Sequence, residues 1–175
     1  MTDIVQFLRG QMDGLHTLLD RVVADLTPEQ VHYQARPGIQ PIAFSLWRYV
    51  RTEDNIIRFV LQRRPTVWIE GGWPEKFGLD PRGQGTGMTD EAAAALRIAS
   101  LDDWRRYQGE VWTATDAYLA ALDPVTVDGQ RVTIRPVGEM SLLDALGGMV
   151  LTHGYRHLGE IEYARGLLGL KGATI

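Results

Sequence analysis

The residues whose types and spacing favour chemistry in this sequence are two histidines and a glutamate near its C-terminal end. His153 and His157 are four residues apart, and Glu160 follows three residues later. On an α-helix, residues at this spacing fall on one face, and the two imidazoles lie about 6 Å apart along the axis. One divalent ion can bridge nitrogens at that separation, so the pair is a candidate for metal ligation.

Glu160 is predicted to have a different role. It lies about 10 Å along the helix axis from His153, too far for one ion to accept all three ligands from a straight helix. A third ligand should come from a neighbouring helix, while Glu160 orients His157 or pairs with a cation. The spacing is not that of the zincin motif, because Gly154 stands where that motif needs its glutamate. The alternative is that the pair is structural.

The surroundings of the pair are apolar, which raises the cost of leaving it without partners. At 100° per residue, an apolar stripe falls within about 60° of His153: Leu142, Leu146, Met149, Val150, Ala164, Leu167 and Leu168. The wheel therefore places both imidazoles and the carboxylate toward the core. A buried polar group without a partner costs about 1–3 kcal/mol, so the three require mutual hydrogen bonds or a metal.

Four long helical patterns position these residues. Apolar side chains recur at three- and four-residue steps over about residues 3–25, 42–63, 100–122 and 141–169. Shorter features lie between them: a capped turn after Thr27, an alanine-rich helix from Thr89 to about Ile98, and a small hairpin around Asp128-Gly129. The pattern predicts an all-α four-helix bundle, with residues 1–175 forming one domain.

A long glycine- and proline-rich connection separates the second and third helices. Residues 64–88 show no helical pattern, and such a length fits a crossover from one end of a bundle to the other. Trp68, Trp73 and Phe77 are too apolar for a solvated linker, so we expect them to pin the connection against the bundle. Phe44, Trp47 and Phe59 form a second apolar face on the second helix, which either a partner subunit or this connection should cover.

The composition excludes several function classes. The chain has 175 residues, 45% hydrophobic and 23% charged, a net charge of −4 and no cysteine. Whole-chain disorder, disulfides, iron–sulfur clusters and a cysteine nucleophile are therefore excluded, and the negative charge argues against nucleic acid or an anionic membrane as partner. The start, Met1-Thr2-Asp3-Ile4, lacks the features of a signal peptide, and no run approaches about 18 apolar residues. A cytoplasmic location is expected.

Three stretches of the chain together resemble a known family. They are residues 41–48 with 52–54, residues 71–73 with 76–79, and residues 152–161. Through them the sequence resembles the DinB-like (YfiT-like) proteins over nearly its whole length. The resemblance implies a four-helix bundle, often a homodimer, that commonly holds a divalent metal such as zinc, nickel or manganese by three histidines. It also implies an activity, because members of the family include metal-dependent transferases and isomerases that use low-molecular-weight thiols such as mycothiol or bacillithiol.

The chain departs from that family at one ligand. His153 and His157 match the two histidines of the fourth helix, but the ligand position on the second helix falls on Arg48. Arginine is always protonated and has no lone pair to donate. Its charge would repel a divalent ion about 4 Å away by roughly 8 kcal/mol at an effective dielectric constant of about 20. Arg48 and a metal bound in the family manner should exclude each other, which leaves the third ligand missing.

Two arrangements of Arg48 follow from this substitution. Its guanidinium takes the place of the ion, pairing with Glu160 and hydrogen-bonding His153 or His157. Alternatively, it points to solvent or lies over Trp47. The sequence favours neither arrangement over the other.

Other polar residues could also line the site. Replacement of the missing ligand by Glu53, Asp54 or Asn55 is the less favoured interpretation, although Glu53 shares the inner face of the second helix. His16 on the first helix could line the same cavity, but a lone histidine at the edge of a helix face is more often structural.

Two candidate functions follow from these residues and from the resemblance. In the first, the protein is a DinB-like member with a degenerate metal site and a pocket for a small molecule. In the second, it is a divalent-metal-dependent thiol transferase, isomerase or hydrolase that uses His153 and His157, the ion lowering the pKa of a bound thiol or water. The sequence identifies no catalytic residue. We expect a homodimer with a small-molecule or low-molecular-weight thiol ligand, and neither nucleic acid nor membrane as partner.

Overall fold

The computed structural model describes residues 3–173. Residues 1, 2, 174 and 175 of the expected 1–175 domain lie outside the described residues, as does the Met1-Thr2 start. The described helices are α1 Ile4–Ala24, α2 Pro28–Val31, α3 Ile42–Asp54, α4 Val67–Glu70, α5 Trp73–Phe77, α6 Asp90–Ala95, α7 Leu101–Ala120, α8 Leu142–Asp144 and α9 His153–Leu167. π-helical segments extend α3 over Asn55–Leu61 and join α8 to α9 over Ala145–Thr152.

Four long helical units form the bundle. α1 packs against α7 and α9, and α3 packs against the same two helices. The third unit is α7, and the fourth runs through α8, the second π-helical segment and α9. The all-α four-helix prediction is confirmed.

Short polar side chains begin most of these helices, as their sequence positions indicate. Asp3 accepts a hydrogen bond from the amide of Gln6 at the start of α1, and Ser100 accepts one from Asp103 at the start of α7. Ser141 does the same for Asp144, where the fourth unit begins. Each cap satisfies a backbone donor that the first turn of a helix leaves free.

The long connection is pinned by its aromatic residues, as predicted. Trp68, Trp73 and Phe77 are all buried, and their rings pack against Trp104 and Tyr107 of α7. The connection is not without secondary structure, because these aromatic residues lie on the short helices α4 and α5. Burial of a large aromatic surface fixes one end of the crossover to the bundle.

The far end of the connection covers the second apolar face of α3. Phe44 and Trp47 are buried, and Gly85 lies so close to them that a Cβ there would stand 3.2 Å from both rings. Gly85 also has a φ of +80°, a conformation that favours glycine. Of the two expected covers for this face, the crossover therefore covers Phe44 and Trp47, whereas Phe59 remains exposed.

The hairpin forms later in the chain than expected. Asp128-Gly129 belongs to a 3₁₀ turn over Val127–Gly129. The two strands are β1 Arg131–Ile134 and β2 Gly138–Ser141, antiparallel, with Arg131 opposite Ser141. Pro136 and Gly138 supply the reversal: proline fixes φ, and Gly138 adopts a φ of +110°.

Among residues 3–173, no helix combines the length and the apolar character needed to cross a membrane.

Candidate functional site

The histidine pair of α9 forms a hydrogen-bonded chain with Glu160. The Nε2 atoms of His153 and His157 are 2.9 Å apart, and Nδ1 of His157 lies 2.6 Å from Oε2 of Glu160. Ser45 of α3 donates its hydroxyl to the same carboxylate oxygen at 3.0 Å. Glu160 therefore orients His157, the role that its spacing predicts, and ties α9 to α3.

The protons of this chain follow from its partners. A carboxylate only accepts hydrogen bonds, so Nδ1 of His157 carries a proton. Two unprotonated nitrogens at 2.9 Å would repel each other through their lone pairs, so one proton lies between the two Nε2 atoms. That proton must leave before both Nε2 lone pairs can meet one ion.

The helical wheel of the sequence analysis predicts that the site is buried more deeply in the core than the structure shows. His157 is buried, but His153 is only half-buried and the side chain of Glu160 is 46% exposed. The wheel assumes 100° per residue, whereas residues 145–152 form a π-helical segment that turns less per residue. The buried face of α9 consequently passes through Gly154, His157, Leu158 and Ile161.

Arg48 adopts neither of its two expected arrangements. Its Nη1 donates to the carbonyl of Gly85 at 2.6 Å, and the structure gives it no ion pair with Glu160 within the described chain. Arg51, one turn later, donates to the carbonyl of Gly83 at 3.2 Å. The two arginines hold residues 83–85 of the crossover against α3.

Charge at the site acts on His153. Burial, together with the charges of His157, Arg156 and Arg48, lowers the pKa of His153 to about 4. Burial opposes ionisation of Glu160, but the hydrogen bonds from His157 and Ser45 and the charges of His157 and Arg156 together outweigh it, so the pKa of Glu160 lies below its usual value. At neutral pH the site therefore presents a neutral His153 beside an ionised Glu160.

The residues present do not complete a metal site. Within the described residues, no three histidine, aspartate or glutamate side chains are arranged to hold an ion. A metal-bound imidazole usually donates a hydrogen bond from its other ring N–H, but Nδ1 of His153 is buried without any hydrogen-bond partner among the described residues. The positive charge of Arg48 also acts on His153, since it contributes to the lowered pKa of that residue. The donor set therefore does not fit a three-ligand centre.

His16 and Glu53 form a separate buried network. Nε2 of His16 lies 3.0 Å from Oε1 of Glu53, and the ring of Trp112 stacks on His16 at 3.8 Å. The ring of Tyr49 stands 6.1 Å from Trp112 and 6.0 Å from His153, between the network and the histidine pair. The structure thus brings His16 and Glu53 to each other but not to His153 and His157.

The other two residues weighed as replacement ligands lie further along α3. Asp54 is buried and accepts the backbone amides of Val67 and Trp68 at 2.8 and 2.9 Å. It therefore anchors the first turn of α4. Asn55 lies at the start of the first π-helical segment and lines a cleft on the outside of the bundle.

Sequence reasoning misses Ser45 and Gly85 as site residues. A serine near a helix start is usually a cap, and no local pattern shows that Ser45 meets Glu160 across the bundle. Arg48 itself is a signal for Gly85, because a half-buried guanidinium needs an acceptor and the glycine-rich connection supplies carbonyls. Only the folded crossover shows which carbonyl accepts it.

Acid should destabilise the protein through His153. Its folded pKa of about 4 lies below the ordinary value of 6.5, so the unfolded chain binds more protons between these values. Stability should fall as the pH drops below 6.5 and level off near 4. With solvent screening of this half-buried group, we expect a loss of about 1–2 kcal/mol.

The measurement compares urea unfolding of the wild type and His153→Gln at neutral pH and at about pH 4.5. The wild type should lose more stability than the variant across this interval. Equal losses would mean that His153 titrates as it does in the unfolded chain.

Fold and site together define a class: helical bundles that carry a histidine pair on the inner side of their fourth long helix. The DinB superfamily model matches residues 11–161, and the chain belongs to that superfamily.

Among solved structures, the chain is similar to an Enterococcus faecalis protein described as the conserved protein of locus. The two share 20% sequence identity and a TM-score of 0.82, and the match covers 97% of this chain and 99% of the other. At this identity the likeness shows the fold alone. A comparison with curated proteins finds no significant match.

Proposed function

We propose that this protein is a degenerate DinB superfamily member that works without the three-histidine metal centre and binds a small polar molecule beside His153 and His157. The observation that carries the proposal is Arg48. By the resemblance to the DinB-like pattern, it stands where that pattern has its third histidine, and its guanidinium is held by the carbonyl of Gly85 at 2.6 Å.

Electrostatics supports the absence of a bound ion. Arg48 and Arg156 both act on His153 as positive charges and lower its pKa. A divalent ion at the histidine pair would meet the same two charges. Repulsion between a unit charge and a divalent ion amounts to several kcal/mol at short range, and no described carboxylate replaces the missing ligand.

The site offers groups that suit a small polar ligand. The half-exposed carboxylate of Glu160 can accept hydrogen bonds, and the guanidinium groups of Arg48 and Arg156 can pair with an acid group. His153, neutral at pH 7, adds an uncharged polar ring. A ligand with one acid group and one or more hydrogen-bond donors would match this arrangement.

Arg48→His is expected to raise zinc affinity at least about tenfold. The change removes one positive charge and supplies a third imidazole. The measurement is zinc titration against a chromophoric chelator, with protein purified without a histidine tag. Adding His157→Ala to the Arg48→His variant should abolish the increase in zinc affinity.

Arg48→Gln is the matched control, because it also removes the charge and the bond to Gly85 but supplies no imidazole. Arg48→His should bind zinc more tightly than Arg48→Gln. If the two variants bind zinc equally, residue 48 does not occupy the third ligand position and the proposal is wrong.

The second candidate is a metal-dependent thiol transferase, isomerase or hydrolase. One observation favours it: the Nε2 atoms of His153 and His157 approach to 2.9 Å, near the separation of about 3.0–3.4 Å expected for two nitrogens on one ion. About one equivalent of zinc, nickel or manganese in the wild-type protein, lost in His157→Ala, would support this candidate and overturn the first. The homodimer expected from the family stays a proposal, which light scattering tests.

A further inference from the structure

A cleft lies on the outside of the bundle, away from the histidine pair. It has a volume of about 1000 Å³ and is bounded by the first π-helical segment, the start of α4 and residues 81–84 of the crossover. Its lining includes Arg63, Arg64 and Arg82. An adjoining hollow of about 630 Å³ shares Asn55, Phe59, Arg63 and Gln84 with it and adds Arg135. We call the two together the arginine cleft.

The cations of the arginine cleft are unusual in having no partners. Four arginine side chains form no hydrogen bond or ion pair within residues 3–173: Arg63, Arg64, Arg82 and Arg135. Neither lining contains an acidic residue. The acidic groups nearby are engaged elsewhere: Glu70 pairs with Arg58, Asp54 pairs with Arg51, and Asp80 accepts the amide of Arg82. A chain with a net charge of −4 thus gathers four free guanidinium groups around one concave surface.

The floor of the cleft is apolar. The side chains of Phe59 and Ile69 are 57% and 48% exposed, and Pro65 and Pro81 extend the same surface. Exposed large apolar side chains beside unpartnered arginines favour a ligand with an apolar body and an anionic end. The volume matches a small molecule, since ligand pockets usually measure about 300–1000 Å³.

The backbone at Arg63 supports a role for its charge. Arg63 has a φ of +56° and is, over the described residues, the single non-glycine residue in the left-handed region. It follows the end of the π-helical segment, where glycine or asparagine would adopt this conformation with less strain. Strained residues gather at ligand sites, and π-helical segments such as Asn55–Leu61 do so as well.

We propose that the arginine cleft binds an organic anion consisting of a phosphate or carboxylate on an aromatic or other apolar body. The guanidinium groups of Arg63 and Arg82 pair with the anion, as arginine does with phosphate and carboxylate oxygens. The apolar body rests on Phe59 and Ile69. This site lies apart from the site of the proposed function and does not depend on it.

The test is calorimetric titration of the full chain with 1-naphthyl phosphate and 1-naphthoate, which separates a phosphate from a carboxylate end. At least one of the two should bind at a single site and weaken as salt rises. Neutral 1-naphthol and inorganic phosphate should each bind at least about tenfold more weakly, because each lacks one half of the ligand. Equal binding of 1-naphthol, or no saturable binding of either anion at millimolar concentration, would overturn the proposal.

Single-residue variants test whether the anion binds in the arginine cleft. Arg63→Asn and Arg82→Gln should each weaken binding about tenfold, and Arg63→Asn should leave the Tm equal or higher because asparagine suits a positive φ. Arg106→Gln, which removes an exposed arginine of α7, is the matched control and should keep wild-type affinity. A loss in Arg106→Gln as large as in Arg82→Gln, or tighter binding of a 20-nucleotide single strand than of 1-naphthyl phosphate, would show a general polyanion surface and refute the proposal.

Discussion

Replacing Asp54 with alanine is expected to lower the free energy of unfolding by about 3–5 kcal/mol. The carboxylate is fully buried and accepts the amides of Val67 and Trp68 and the hydroxyl of Tyr107, all within 3.0 Å. Arg51 adds a fourth donor at 3.3 Å. Alanine would leave these donors buried with no acceptor, and one of them carries a full charge. Urea unfolding followed by circular dichroism measures the loss.

Asp80 provides the matched control for this variant. It belongs to the same crossover and also accepts a backbone amide, that of Arg82 at 2.8 Å, but it is exposed. Asp80→Ala should therefore cost less than about 1 kcal/mol, because water replaces the lost acceptor. Equal losses for the two variants would show that burial of Asp54 is not the source of its effect.

Gly154→Ala is expected to destabilise the fold by about 3 kcal/mol, despite the better helix propensity of alanine. α9 passes so close to α1 and α3 that a Cβ at this position would lie 2.6 Å from Cζ of Tyr49 and closer still to Cδ2 of Leu15. Both neighbours are fully buried, so neither side chain can move aside without displacing others. Thermal and urea unfolding measure the change.

A substitution at Gly159 of the same helix tests whether this close approach causes the loss of stability. A Cβ there would meet no atom within 4 Å, and the residue is exposed. Gly159→Ala should raise stability by about 0.5–1 kcal/mol, the propensity difference alone. If Gly154→Ala were also neutral or stabilising, the close approach of α9 to Leu15 and Tyr49 would not limit residue size at position 154.

The parts of the fold that could be predicted are those set by local chemistry. Helix positions follow from the spacing of apolar residues, and helix starts follow from capping side chains such as Ser100 and Ser141. The burial of Trp68 and Trp73 follows from the cost of solvating an indole. Each of these depends on residues within a few positions of one another.

The parts that could not be predicted depend on distant contacts. The depth of Glu160 is wrong on a regular wheel because a π-helical segment precedes α9, and nothing in the local sequence marks that segment. The role of Asp54 depends on amides that are more than ten positions away. The histidine pair and the departure at Arg48 were visible in the sequence, but the carbonyl that holds Arg48 was not.

The bond between Arg48 and Gly85 couples residue 48 to the crossover. A histidine at this position is too short to reach the carbonyl as the guanidinium does, so the Gly85 carbonyl would lose its donor. Gly85 is buried against Phe44 and Trp47, and water has poor access to replace that donor. Loss of Arg48 should therefore loosen residues 83–85 of the crossover against α3, unless a further change in the crossover satisfies that carbonyl.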